Sequence, residues 1–203
     1  MEILDARLQG AKHRLIPKSG VRFQNLILLV SLFLIIMQGQ AAIADESLEK
    51  RVKAAFLHKF GGYVEWPAAA FDSQDSPLTV CLLGSDAGFN AALEKMAQGS
   101  NIHGHPIAVR ELATGEVEAD CHILYVDTPD PQISAQALEA VRGKNVLTVS
   151  DSASQGIISF LIADNRVRFN INDKAAAENG LVISSKLLDL AANVTRRDQG
   201  AGK

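Results

Sequence analysis

The sequence predicts a three-layer α/β fold, with about five helices around a six-stranded, mostly parallel sheet that ends in an antiparallel edge hairpin. Three observations point there. Leu78–Leu83, Cys121–Val126 and Val146–Val149 are continuous apolar runs, the pattern of strands buried on both faces. Between such runs lie segments with helical spacing and capping residues, as parallel crossovers require. Near the end of the chain Val167, Phe169 and Ile171 alternate with Arg166, Arg168 and Asn170, the period-two signature of a strand with one wet face.

From Asp45 to Tyr63, Leu48, Val52, Phe56, Phe60 and Tyr63 recur at intervals of three and four, one apolar face of a helix. Glu46 and Glu49 in its first turn and Lys59 late complement the helix dipole. Gly61 and Gly62 loosen its end, and Val64, Glu65, Trp66, Pro67 stop it. After the strand Leu78–Leu83, Ser85 and Asp86 cap a helix carrying Phe89, Leu93 and Met96, with Gly99 just past its end and a second strand from Pro106 to Leu112. After Cys121–Val126, Pro129 and Pro131 introduce a helix with Ile133, Ala137, Leu138 and Val141, closed by Gly143. Ile157–Ile162 and the alternating strand make a hairpin through Asp164 and Asn165, with the alternating strand at the sheet edge. Leu181–Ala191 reads as a last helix, and 194–203 as a disordered tail.

The chain opens differently. Arg7, Lys12, Arg14, Lys18 and Arg22 precede an apolar run, Leu26–Met37, shorter than the roughly 20 residues of a spanning helix. Ala42, Ile43, Ala44, Asp45 then give the small-x-small pattern of signal cleavage. The reading is a secretory signal over 1–44, cut between Ala44 and Asp45, and one domain over 45–203 in the periplasm; the alternative is an uncleaved anchor or a buried helix. Without the leader, 15 basic residues face 21 acidic ones, and no dense Lys/Arg block remains, so nucleic acid is not an expected partner. Cys81 and Cys121 are the only cysteines, and in an exported chain a pair suggests a disulfide; two buried free thiols are the alternative.

The candidate chemistry is sparse. His103, Gly104, His105 has ligand-like spacing, but no third ligand is placed nearby, and a solvated turn explains it. Ser184, Ser185 and Lys186 are helical neighbours that do not face one another. Predicted parallel strands end in Ser85 and Asp86, in Asp127, and in Asp151, at the edge where open α/β sheets bind ligands. These four residues are the candidate ligand pocket, although the same residue types also cap helices and shape turns. No Gly-rich phosphate loop, nucleophile elbow or H-E-x-x-H motif occurs, and neither a catalytic set nor a cofactor or metal site is expected. Phe56, Phe60, Tyr63 and Trp66 concentrate aromatic surface in one segment; most of it reads as core, yet it also suits an interface.

Val52, Lys53, Ala54, Ala55, Phe56, Leu57 leading to Val64, Glu65, Trp66, Pro67 resembles the YfiR family of small periplasmic proteins. Val167, Arg168, Phe169, Asn170, Ile171, Asn172 with Gly180, Leu181 and Ile183, Ser184, Ser185, Lys186, Leu187, Leu188, Leu190, Ala191 extends the resemblance nearly to the end. It implies an α/β regulator, usually a homodimer and not an enzyme, that binds the periplasmic domain of an inner-membrane diguanylate cyclase and represses it. It also implies relief by an outer-membrane lipoprotein or by redox stress. Cys81 and Cys121 match one cysteine pair of the family; a second pair carried by some members is absent, since 150–156 holds no cysteine. His58, Gly61 and Gly62 also depart from the usual first motif. Two rival readings are a periplasmic small-molecule or metal-binding module without a cyclase partner, and a Mg²⁺-dependent phosphohydrolase.

Overall fold

The computed structural model describes residues 46, 48–116, 120–151 and 156–197. The expected signal over 1–44, and its cleavage point at Ala44 and Asp45, lie outside the described residues. Helix α1 (residues 48–60) buries Ala54, Leu57 and Phe60 completely; of the apolar face expected from the spacing only Phe60 is fully covered, Val52, Phe56 and Tyr63 are partly buried and Leu48 is half exposed. A 3₁₀ turn at Gly61–Tyr63 ends it and leads into the short strand β1 (Val64–Glu65). Gly61 is buried there, and a Cβ on it would lie 3.0 Å from the Ile102 side chain, so the glycine lets this turn sit directly on the core.

The parallel crossovers follow as the pattern requires. Strand β2 (Leu78–Leu83) leads to α2 (Ala87–Ala97), capped by Asp86, and on through β3 (Asn101–Ile102) to β4 (His105–Leu112). Strand β5 (Ile123–Val126) leads to α3 (Pro131–Ala140), capped by Asp130, and then to β6 (Leu147–Ser150). The hairpin of β7 (Ile158–Ala163) and β8 (Arg166–Asn172) turns through Asp164 and Asn165, both at positive φ, the backbone that a tight two-residue hairpin needs. It is followed by α4 (Asp173–Glu178), β9 (Val182–Ile183), α5 (Ser185–Leu188) and β10 (Asn193–Thr195).

Among the described residues the main sheet has eight strands, ordered β10-β8-β7-β6-β5-β2-β4-β3, rather than six. Both extra strands are short. Asn101–Ile102 folds back on β4 through His103 and Gly104, and Asn193–Thr195 pairs parallel with β8. Two or three residues carry no readable period, so only pairing defines them. Consequently β8 is not an edge, and the tail expected to lack order from Val194 instead closes the sheet; residues 198–203 lie outside the described residues. The helix expected over Leu181–Ala191 is also different. Leu181 and Ile183 are buried while Val182 is exposed, a period of two, and Val182–Ile183 pairs with Val64–Glu65 before a single turn of helix.

Alternation along β2 and β5 splits the core in two. Leu78, Val80, Leu82, Ile123 and Tyr125 face Leu57, Phe60, Phe89 and Leu93 of the first two helices. Cys81, Leu83, Leu124 and Val126 face Ala137 and Val141 toward α3. On the first side Phe60 is the hub: its ring lies 5.1 Å from Phe169 and 5.8 Å from Phe160, tying α1 to the hairpin. Phe60→Ala is expected to cost about 3–5 kcal/mol in urea unfolding, whereas Leu190→Ala, at a side chain 58% exposed, should cost less than about 0.5 kcal/mol. A cost below about 1 kcal/mol for Phe60→Ala would show that this ring is not the hub.

Candidate functional site

Parallel β2, β5 and β6 end side by side, so their register delivers Asp86, Asp127 and Asp151 to one sheet edge. The peptide N–H groups of Asp127 and Asp151 donate to the carbonyls of Leu83 and Val126, which fixes both residues against the neighbouring strand. Gly84 makes the approach possible: its φ is +83°, and a Cβ there would lie 2.3 Å from the Asp127 carbonyl oxygen.

The edge is brought together as expected, but its charges are already engaged by α1. Asp86 accepts from the N–H groups of Gly88 and Phe89 and pairs with Lys50 at 2.8 Å. Lys53 is buried and bridges Asp151 at 2.6 Å and Glu49 at 2.5 Å. Ser85 turns away, donating to Asn90, which in turn donates to Glu111. The Lys50 ammonium, with the two backbone donors, holds the Asp86 carboxyl below the usual range. Asp127 moves the other way, because burial and the Asp151 carboxylate outweigh Lys53. Tyr125, fully buried beneath them, has its hydroxyl pushed up by burial and by the same two carboxylates. Two lysines against three aspartates make this edge a cluster of mutually engaged charges.

Sequence reasoning passed over Lys50 and Lys53, whose signal was available: they stand three apart on the α1 face that also carries Glu46 and Glu49. The histidines of the H-x-H motif serve different purposes. His103 sits in the β3–β4 turn at positive φ, while His105 stacks 3.8 Å from Phe71 and donates from Nδ1 to the Ser76 carbonyl. On the other side of Phe71 lies His122, also unnoticed in the sequence. Its Nδ1 accepts from the Thr79 N–H, so Nε2 carries the proton and donates to the Ala70 carbonyl. Burial, the largest cause, lowers the His122 pKa and keeps the ring neutral. Among the described residues no group of three or more His, Cys, Asp or Glu is placed to hold a metal ion.

Cys81 and Cys121 form a disulfide with Cα atoms 5.8 Å apart, joining mid-β2 to the entry of β5 across adjacent strands. Arg110, on β4, reaches both sulfurs with one nitrogen, Nη2, at 3.7 Å from Cys81 and 3.8 Å from Cys121, and also pairs with Asp120 at 2.6 Å. Cys121 lines a cavity of about 530 Å³ together with Ser76, Thr79, Asp120, His122 and Lys144. A second, more apolar groove of about 300 Å³ runs between the start of α1 and the hairpin tip, lined by Leu48, Val52, Phe56, Ile162 and Val167 and rimmed by Glu49 and Arg166. Leu48 is 51% exposed and Ile162 49%.

The expected interface aromatics are dispersed. Phe56 lines the apolar groove, Phe60 is wholly buried, Tyr63 packs on the core, and Trp66 donates to the Gly61 carbonyl and lies edge-on to Phe71 and His122. Phe60 therefore presents no surface to a partner.

Residues 50–192 match a family model described as YfiR/HmsC-like. No curated protein matches the chain. Among solved structures, a conserved domain protein from Vibrio cholerae is similar at 15% identity with a TM-score of 0.41, over 58% of this chain and 54% of that one. The ABC domain in complex with L-Trp from Streptococcus pneumoniae is similar at 15% identity with a TM-score of 0.39, over 57% of this chain and 56% of that one. The chain spans about half the length of these solved structures.

Two stability measurements check the site's physics. Asp127→Asn is expected to stabilise at pH 7, by about 1 kcal/mol or less, since it removes a partly buried charge facing Asp151. A folded pKa above the ordinary 3.8 means that folding favours the protonated acid, so the gain should fade as the pH falls through the folded pKa toward 3.8; destabilisation at pH 7 would contradict it. Replacing both cysteines by serine should cost about 2–4 kcal/mol in urea unfolding, and a change within about 0.5 kcal/mol would show that the bridge adds nothing to stability.

Proposed function

Because the chain belongs to the YfiR/HmsC-like family, whose model covers residues 50–192, we propose that it is a periplasmic regulator that binds the sensor region of an inner-membrane diguanylate cyclase and lowers cyclic-di-GMP signalling. The family match is the observation that carries this reading. Binding that prefers the inactive cyclase conformation shifts its population, and the cyclase itself transmits the shift across the membrane. The exported leader expected over 1–44 puts the domain in the right compartment. A homodimer, and an outer-membrane lipoprotein that withdraws the repressor, complete the proposal.

The surface supports a protein-binding role. Two large apolar side chains, Leu48 and Ile162, stand about half exposed on one groove whose floor is apolar, and exposed apolar clusters rimmed by charge mark interaction sites. The second reading, a small-molecule-binding module without a cyclase partner, is favoured by the cavity beside Cys121, whose volume of about 530 Å³ falls in the range of ligand sites.

Deleting the gene should raise cellular cyclic-di-GMP, and restoring the secreted protein should reverse the rise. Leu48→Asp combined with Ile162→Asp should leave a folded, exported protein that restores repression at least about tenfold less well, as expected for charges placed in an apolar contact. Unchanged cyclic-di-GMP on deletion, at rest and under envelope stress, would shift weight to the small-molecule reading. In that case a ligand at 100 times its Kd should raise stability by about 2.7 kcal/mol in a thermal-shift screen.

A further inference from the structure

Strand β10 follows β8 in the sheet but is shorter. Its three residues pair only with Asn170, Ile171 and Asn172, so among the described residues no strand lies beside Arg166–Phe169 on that side. The hairpin decides which backbone groups this leaves over. Ala163 and Arg166 close the two-residue turn, so Arg166 and Arg168 exchange their N–H and C=O groups with β7. Val167 therefore points its N–H and C=O away from β7, on the side where the Phe169 carbonyl accepts from the Ala192 N–H. Side chains alternate as well. Val167 shares the face of Phe169, which packs on Phe56 of α1, and it lines the apolar groove with Leu48, Val52 and Phe56. Arg166 and Arg168 flank it, are exposed, and form no ion pair among the described residues. Glu49, the acid on the groove rim, is engaged by Lys53. In a domain with more acidic than basic residues, the two arginines are a local reversal of charge.

We infer that this open stretch of β8 takes an added antiparallel strand, an extended protein segment in which an apolar residue stands between two acidic ones. The apolar residue pairs with Val167, exchanges both backbone hydrogen bonds with it, and turns its side chain toward the groove. Its acidic neighbours fall on the opposite face, beside Arg166 and Arg168. In such strand addition the backbone supplies affinity and the alternate side chains supply selectivity. Opposite charges on adjacent strands attract and like charges repel, so a basic segment of the same pattern is rejected. A helix laid in the groove would leave the Val167 backbone unused, which is why the edge favours a strand. The inference names the chemistry of the partner for the protein-binding reading above and rests on that reading.

The test uses the purified, exported protein and a blocked peptide, Glu-Val-Glu-Ile-Glu, with Lys-Val-Lys-Ile-Lys as the charge control and Glu-Glu-Glu-Val-Ile as the control that lacks alternation. Titration followed by amide NMR should show the alternating acidic peptide binding at least about tenfold tighter than either control, more weakly at high salt. Hydrogen exchange at the Val167 N–H should slow on binding. Arg166→Glu combined with Arg168→Glu, at two exposed positions, should reverse the preference in favour of the basic peptide. No binding of the acidic peptide at millimolar concentration would overturn the proposal, and so would binding that leaves Val167 exchange unchanged. Equal binding of the basic peptide would remove the arginines from recognition. The regulator reading fails separately: peptide binding at Val167 with unchanged cyclic-di-GMP on gene deletion would keep this edge and remove the cyclase, and the reverse pair of results would keep the cyclase and remove the edge.

Discussion

The constraint on which the rest of the structure depends is that β2, β5 and β6 are buried on both faces. A strand with no wet side must be covered twice, which is why α1 and α2 lie over one side and α3 over the other. Parallel pairing of these strands needs crossovers, and each crossover starts from an aspartate cap, Asp86 for α2 and Asp130 for α3. The two outer edges are closed by strands of two and three residues, β3 and β10, short enough to offer little template for pairing with another chain.

That same burial creates the charge problem at the strand ends. Parallel register brings three aspartates to one edge over the buried Tyr125, where their like charges repel. Helix α1 answers with Lys50 and Lys53, the latter almost fully buried and held between Glu49 and Asp151. Asp127 is left as the member whose charge is least compensated. The arrangement gives the constellation a task in docking a helix: α1 is bound to the sheet by its apolar face through Phe60 and by its polar flank through the two lysines.

Legibility followed element length and contrast. Strands and helices of four residues or more with a clear period, from α1 to β8, were readable, including the Asp86 cap and the turn at Asp164 and Asn165, whereas the Asp130 cap was not. The short pairs were not. Nothing in Asn193, Val194, Thr195 distinguishes a strand from a tail until Ala192 donates to Phe169 and draws them alongside β8. Leu181–Ala191 misled because Leu181, Leu188 and Ala192 fit a helical face, while the competing alternation of Leu181 and Ile183 matches an available partner in Val64–Glu65. Of the candidate site, the positions of the three aspartates and of the cysteine pair were legible, since strand ends and strand order follow from pattern. Their partners were not: Lys53, Arg110 and His122 act through contacts between segments tens of residues apart, and no local period encodes those.

The placement of the disulfide bears on what its loss does to the fold. Cys81 and Cys121 join strands already held by a ladder from Val80 and Ile123 to Leu83 and Val126, so the bond is redundant for pairing β2 with β5. What it adds lies at the N-terminal end of β5, where Cys121 is followed by His122, whose ring fixes the Thr79 N–H and the Ala70 carbonyl and stacks in line with Phe71 and His105. Of this layer His122 lines the cavity, and Trp66 lies edge-on to it. The bond thus anchors the start of β5 beside the segment between β1 and β2, where the contacts of His122 continue its hold.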